Sequence, residues 1–271
     1  MPPAPDRPPE PSALHEAFER NGPLDWGENS LSTADIAHLH GTDAAWRSLW
    51  LLERAAIVEP NVTAQFLESL PPTASAHELA KRVKSPVSLA RKIRDWSEAE
   101  RRFPIDDVLR YTVLTETPAD LVAAARHTVD ELGDHGWRVT YAMQSYTDGS
   151  RYKGIHAYLA SPEIAQAEVQ FHSVASAKVK ELTTRWYEIE RSATATPEER
   201  AAARQRCVDL SGTLRPPEGI SDLKMLGGKR VAVKNYSDSR DPVDQRGTLS
   251  ASTTRRAAHP TALDKHDGIA R

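Results

Sequence analysis

Cysteine is nearly absent from this chain. Cys207 stands alone among 271 residues, which excludes an intramolecular disulfide framework and fits a reducing compartment. No apolar run is long enough to span a bilayer, so no membrane partner is expected. The chain also lacks an excess of positive charge. Its net charge is −3, so no global field draws nucleic acid. The proline-rich start, Met1 to Pro11, has no apolar core of a secretory signal. The expected site of action is therefore the cytoplasm, and export would need another route or a segment upstream. His38 and His40 have no obvious partner ligands, which makes a poor zinc site. Hydrophobic residues reach 39% and charged residues 27%, so part of the chain is expected outside the core.

What is present is a basic stretch, Lys81-Arg82-Val83-Lys84-Ser85-Pro86-Val87-Ser88-Leu89-Ala90-Arg91-Lys92. Ser85 before Pro86 reads as an N-cap followed by a proline at the first helical position. Val87, Ala90 and Ile93 then form an apolar stripe, and Ser88 and Lys92, four apart, share another face. Arg82 and Lys84 stand just ahead of the helix start, where free N–H groups and the dipole favour an anion. A polyphosphate suits such a place. A solvated basic helix face would carry the same charges.

Around this stretch the chain divides by composition. Residues 1–12 read as a disordered lead and 13–72 as a helical segment, in which Pro60 ends a buried helix bearing Trp46, Leu49, Trp50, Leu51, Leu52 and Ala56. Pro71-Pro72-Thr73 marks a boundary. Strands are expected over 107–114, 137–143, 155–160 and 167–172, with a helix opening at Thr117-Pro118 after the first of them. A helix over 174–191 should turn Val179, Leu182, Trp186 and Ile189 inward, and another should cover 197–210. The fold class expected is α/β (α+β): a mixed sheet flanked by helices, with a helical N-terminal segment. Residues 222–271 carry ten Lys/Arg against six Asp/Glu and read as a flexible polar tail.

The pattern Arg82-x-Lys84-x-x-x-Ser88-x-x-x-Lys92 resembles the ATP-binding signature of RelA/SpoT-type alarmone synthetases, which move pyrophosphate from ATP to the 3′-hydroxyl of a nucleotide. Three further pieces follow in that family's order. Asp106-Asp107 opens the first strand, and the resemblance implies a Mg²⁺-binding aspartate there, with Asp107 aligning best and Asp106 as the alternative. Tyr152-Lys153-Gly154-Ile155-His156 matches the acceptor segment, whose tyrosine would stack on the acceptor base. Glu168-Val169-Gln170-Phe171-His172-Ser173 matches the strand of the catalytic glutamate. Alternation puts Val169 and Phe171 on the core face and Glu168, Gln170 and His172 on the other. Ser176, Lys178, Tyr187, Glu188 and Arg191 on the next helix are similar to the toxin-type branch, and Lys178 could reach a phosphate.

The resemblance spans Ala76 to Ile220 and implies a nucleotidyltransferase-like fold. It implies ATP on Arg82, Lys84, Ser88 and Lys92, and Mg²⁺ on Asp107 and Glu168. Glu168 would also be the candidate base, with Gln170 positioning an acceptor held by Arg110, Tyr152, Lys153, His156 and His172. Thr112 and His172 stand where guanosine-alarmone synthetases carry arginine, a departure shared with the toxin-type and secreted branch. It points to a purine acceptor with adenine preferred. Guanine nucleotides and the 3′ end of tRNA stay open, as does a neutralising partner of the antitoxin or immunity kind. The His/Asp hydrolase cluster of bifunctional members has no counterpart here. A binding module that kept the fold without turnover is the alternative of another class.

Overall fold

The computed structural model describes residues 7–27, 31–98, 107–162, 166–192 and 194–236. Asp106, residues 1–6 and the stretch from 237 onward lie outside the described residues. The chain opens with three helices: α1 (Pro11–Glu19), α2 (Thr33–His40) and α3 (Thr42–Glu68). Residues 7–12 are part of this packed segment rather than a disordered lead. Pro8 and Pro11 are buried, and Glu10 Oε2 accepts from the Thr33 backbone N–H at 3.1 Å and its hydroxyl at 2.9 Å. Helix α3 runs through Pro60 instead of ending there. Pro60 is exposed, so the carbonyl it leaves without a partner can turn to water. The opposite face buries Leu49, Leu52, Val62 and Phe66.

Next come β1 (Ala74–Ala76), α4 (Pro86–Glu98), β2 (Arg110–Thr115), α5 (Leu121–Asp134), β3 (Arg138–Gln144), β4 (Ile155–Ala160) and β5 (Ala167–Ser173). Then α6 (Val174–Arg191), α7 (Pro197–Gly212), β6 (Met225–Leu226) and β7 (Lys229–Val233) complete the described chain. The strands form one mixed sheet in the order β1-β2-β5-β4-β3-β7-β6. Strand β2 runs parallel to β5 and β3 parallel to β7, while β3, β4 and β5 form an antiparallel meander.

The two sheet faces differ in chemistry. Tyr111, Val113, Val169, Phe171, Ala157 and Leu159 point into the core with the buried side of α5, namely Leu121, Ala125, Val129 and Leu132. The other face carries Arg110, Thr112, Glu168, Gln170, His172, His156 and Tyr158 in register across three strands. Helix α6 covers this polar face, and that reverses its expected orientation. It buries Ser176, Ala177 and Thr183, while Leu182 and Ile189 are exposed. A helix facing polar strand residues turns its polar side inward.

The polar stretch from 222 is a correction of the same kind. Residues 223–236 belong to the fold. Leu223, Leu226 and Val231 are buried in the core, and β7 pairs with β3 from Ala142 to Gln144. Gly227, at φ +50°, makes the β6–β7 turn where a Cβ would lie 2.3 Å from Val139 Cγ2, so no other residue fits.

Candidate active site

Ser85 Oγ accepts from the Ser88 N–H at 3.3 Å, and α4 starts at Pro86. Leu89, Ala90 and Ile93 bury its inner stripe. Just ahead of the helix, Val83 bridges to Leu109 in antiparallel fashion, and Lys84 N–H donates to Val108 O at 3.0 Å. This lays Lys84 beside Asp107. Lys84 Nζ lies 2.7 Å from Asp107 Oδ2 and Lys92 Nζ 2.9 Å from Oδ1, so one carboxylate ties the loop before α4 to its second turn. Burial pushes the Asp107 carboxyl up, but the two ammonium groups outweigh it and hold the group below its ordinary range. Burial in turn lowers Lys84.

Arg82 is not brought to this cluster. Its guanidinium points the opposite way, into the N-terminal helices. Nε donates to Glu59 at 2.5 Å, and the terminal nitrogens donate to the carbonyls of Pro23 and Phe18 at 2.7 and 3.1 Å. The ATP contact expected of Arg82 is therefore corrected to a structural one. Arginine supplies five donors in a planar fork, and here at least three of its hydrogen bonds are spent on the fold. Ser88 stays on the partly exposed face between Lys84 and Lys92.

The second half of the site is a hydrogen-bonded chain on the sheet face. Glu168 Oε1 lies 2.7 Å from His156 Nδ1 and accepts from Tyr158 Oη at 3.1 Å. His156 Nε2 lies 2.9 Å from Tyr152 Oη, which lies 2.9 Å from His172 Nε2. His172 Nδ1 then meets Ser176 Oγ at 3.0 Å. An ionised carboxylate only accepts, so His156 donates from Nδ1. A phenol can donate to one ring nitrogen and accept from another, so the Tyr152 hydroxyl joins His156 to His172. Burial raises Glu168, but the hydrogen bond and charge of His156 outweigh it, helped by Arg110 and Gln170, and the carboxyl lies well below its usual range. Burial pushes His172 far down, so it is neutral, and pushes the Tyr152 phenol far up.

Gly154 sits under this chain, where an added Cβ would meet Tyr152 Oη at 2.8 Å and His172 Cε1 at 3.1 Å. The glycine is thus needed by Tyr152 itself. The Tyr152 ring packs edge-on with Tyr236, centroids 5.8 Å apart. Lys153 is buried.

Arg110 links the two halves. It is the register partner of Glu168 and interacts electrostatically with Lys84, Glu168, Tyr152 and Lys180. Its guanidinium makes no hydrogen bond or ion pair among the described residues. Lys84, Lys92, Arg110 and Lys180 thus face two carboxylates, Asp107 and Glu168, which leaves the site net positive.

Several members escaped the sequence reading. Lys180, rather than the exposed Lys178, reaches the site and donates to Gln170 Oε1 at 2.9 Å. The spacing of four from the capping Ser176 was the available signal. Tyr158 lies two residues beyond His156 on β4, on the same face. Lys234 and Tyr236 come from the stretch read as a tail. Lys234 is buried with its ammonium 6.0 Å from the Tyr141 ring centroid, and Tyr236 N–H donates to Ser150 Oγ at 3.3 Å. Tyr187 and Arg191 pair with each other at 2.9 Å, and Glu188 is exposed. Only His77, Glu78 and Glu181 group three metal-ligating side chains among the described residues, and two of the three are exposed. No helix of the described residues is long and apolar enough to cross a membrane.

The sequence matches no family model and no curated protein. Among solved structures, the chain is similar to small alarmone synthetase 1 from Bacillus subtilis, bound to its product pppGpp, at 12% identity. That match covers 58% of this chain and 84% of the other, with a TM-score of 0.39. It is similar also to a GTP pyrophosphokinase family protein from Streptococcus pneumoniae (10% identity, 66% and 86% covered, TM-score 0.36). A third is the Type VI effector Tas1, solved with its immunity protein (13% identity, 62% and 94% covered, TM-score 0.33). With TM-scores below 0.5, the weight of any functional reading falls on the residues themselves.

Proposed function

We propose that the protein transfers pyrophosphate from ATP to the 3′-hydroxyl of a purine nucleotide. The observation that carries this reading is Arg110, without a hydrogen bond or ion pair among the described residues, beside the ionised Glu168, with Lys84 and Lys92 nearby on Asp107. Surplus positive charge beside an ionised carboxylate suits a polyphosphate that must be attacked by a hydroxyl. The triphosphate would lie along Lys84, Ser88 and Lys92 at the start of α4. The acceptor would lie towards Arg110, Tyr152, Lys153, His156 and His172.

In the reaction the acceptor hydroxyl oxygen bonds to the β-phosphorus, the bond from that phosphorus to the oxygen bridging the α-phosphorus breaks, and AMP leaves. The hydroxyl proton passes to Glu168 as the new bond forms and the oxygen turns acidic. The hydrogen bonds from His156 and Tyr158 hold that carboxylate in place.

Asp107 and Glu168 suit Mg²⁺ by donor chemistry, since both are ionised oxygen ligands and close enough that Glu168 opposes the ionisation of Asp107. These two residues would hold the ion, which would supply charge neutralisation at the phosphate oxygens. The lysines now on Asp107 would turn from it to phosphate.

An adenine acceptor is favoured by Thr112 and His172, two positions where arginine is missing. The toxin-type resemblance also favours a neutralising protein partner. The test is incubation of the protein with γ-labelled ATP and, separately, ADP, ATP, GDP, GTP and deacylated tRNA. Labelled product from an adenine nucleotide supports the whole reading, and preference for GDP or GTP replaces the acceptor. Transfer to tRNA alone assigns a different acceptor class. ATP binding without transfer to any acceptor supports a binding module instead.

A further inference from the structure

Two side chains of α6, one turn apart, grip two side chains of β5 that lie two residues apart. Ser176 meets His172, and Lys180 meets Gln170. Helix α6 leaves β5 directly, with Ser173 as both the last strand residue and the helix cap, so it turns back along the strand it has left. Gln170 lies two residues along β5 from Glu168, on the same face, and helps keep that carboxyl ionised. Hydrogen bonds therefore run from Ser176 through His172, Tyr152 and His156 to Glu168, and a separate one fixes Gln170 beside it from Lys180.

We infer that Lys180 is a positioning residue that sets the orientation of the Gln170 amide beside the Glu168 carboxylate. An ammonium has three donors and no acceptor, so the atom of Gln170 it meets at 2.9 Å is the carbonyl oxygen. The amide NH₂ is then directed away from Lys180, on the strand face that also carries the Glu168 carboxylate. A carboxylate only accepts, so the NH₂ and not the carbonyl must face it. Lys180 thus excludes the flipped amide, which would set one oxygen against another. Glu168 keeps its two donors, His156 and Tyr158, and the positive end of the Gln170 amide adds to them electrostatically. Gln170 is 5% exposed and Glu168 6%, so water does not stand in for a lost link. Arg110, Glu78 and Lys81 also bear on Lys180 electrostatically, and none of them replaces its bond to Gln170.

This inference rests on the proposed transfer for its effect on rate, but its structural half can be read without turnover. The first readout is the Gln170 side-chain amide resonance in the ¹⁵N-labelled full chain, assigned by its loss in Gln170→Leu. Lys180→Met, close in shape to lysine, should shift that resonance, and Lys178→Met, on the exposed side, should not. The second readout is kinetic. Lys180→Met should lower kcat by roughly ten- to a hundredfold, the worth of a hydrogen bond in a charged network, with both KM values within about twofold. Lys180→Arg keeps a donor and should recover most of the loss. An unmoved amide resonance in Lys180→Met overturns the inference, whatever the activity. A change confined to acceptor KM also overturns it, since Lys180 would then bind substrate. A moved resonance in a protein whose wild type transfers nothing leaves the positioning link standing and rejects the proposed function instead.

Discussion

The Arg82 guanidinium and the Glu59 carboxylate form an ion pair with 2% and 0% of their side chains exposed. Thr63 donates to the same Glu59 oxygen at 2.5 Å and meets Tyr111 Oη at 2.9 Å, so the pair ties α3 to both the basic stretch and β2. Removing one partner leaves a buried charge unpaired. Arg82→Met should therefore cost about 3–5 kcal/mol in urea unfolding, and Arg82→Met with Glu59→Leu should recover much of it. A single variant within about 1 kcal/mol of wild type would remove this pair from the account.

The C-terminal boundary is tested by comparing chains ended at 222 and at 236. The shorter one loses β7 from the sheet, with Leu226 and Val231 from the core and Tyr236 from Tyr152. It should lose cooperative unfolding, and the longer one should keep it. Gly227→Ala gives the same answer in the intact chain. The Val139 and Val129 methyls leave no space for it, so a loss of about 1–3 kcal/mol or more is expected.

Much of the architecture was legible because it follows from simple periods. Strands β4 and β5 and helix α6 fall within a residue or so of where alternation and helical spacing place them. The polar face of β5 was legible too, since Glu168, Gln170 and His172 stand two apart. What was missed depended on long-range partners. The helical stripe Leu182 and Ile189 looked inward only because the chemistry of the surface beneath α6 was unknown. Arg82 could not be told from Lys84 without its partner Glu59, which lies 23 residues upstream. Lys234 and Tyr236 follow a strand of five residues in a polar stretch, too short to carry a periodic signal.

Tyr152 separates two roles by substitution. Tyr152→Phe keeps the ring but leaves His156 and His172 without the hydroxyl that joins them. Leaving buried partners unsatisfied should cost about 1–3 kcal/mol of stability. Tyr152→Ala also removes the ring, and the acceptor KM should rise roughly ten- to a hundredfold over that of the phenylalanine variant if the ring stacks on the base. Equal acceptor KM values for the two variants would contradict the stacking role.

Burial lowers Lys180 to about 8 from its ordinary 10.5. The unfolded chain therefore binds more protons at this position between those values. Stability from this group rises as pH increases from about 8 towards 10.5. Lys180→Met should flatten that rise, which urea melts of both proteins at pH 7, 8.5 and 10 would read directly. Parallel stability curves for the two proteins would show that the lysine is not buried as described.

The central claim is that Glu168 serves pyrophosphate transfer at the junction of β2 and β5. The most direct measurement follows γ-labelled ATP with an adenine nucleotide acceptor and Mg²⁺, reading labelled product and AMP together in wild type and in Glu168→Gln. Wild type should give equal amounts of product and AMP. Product should fall by roughly 10²–10⁴-fold or more in the variant, with ATP still bound and thermal unfolding little changed. Near wild-type turnover in a folded Glu168→Gln protein would contradict the claim.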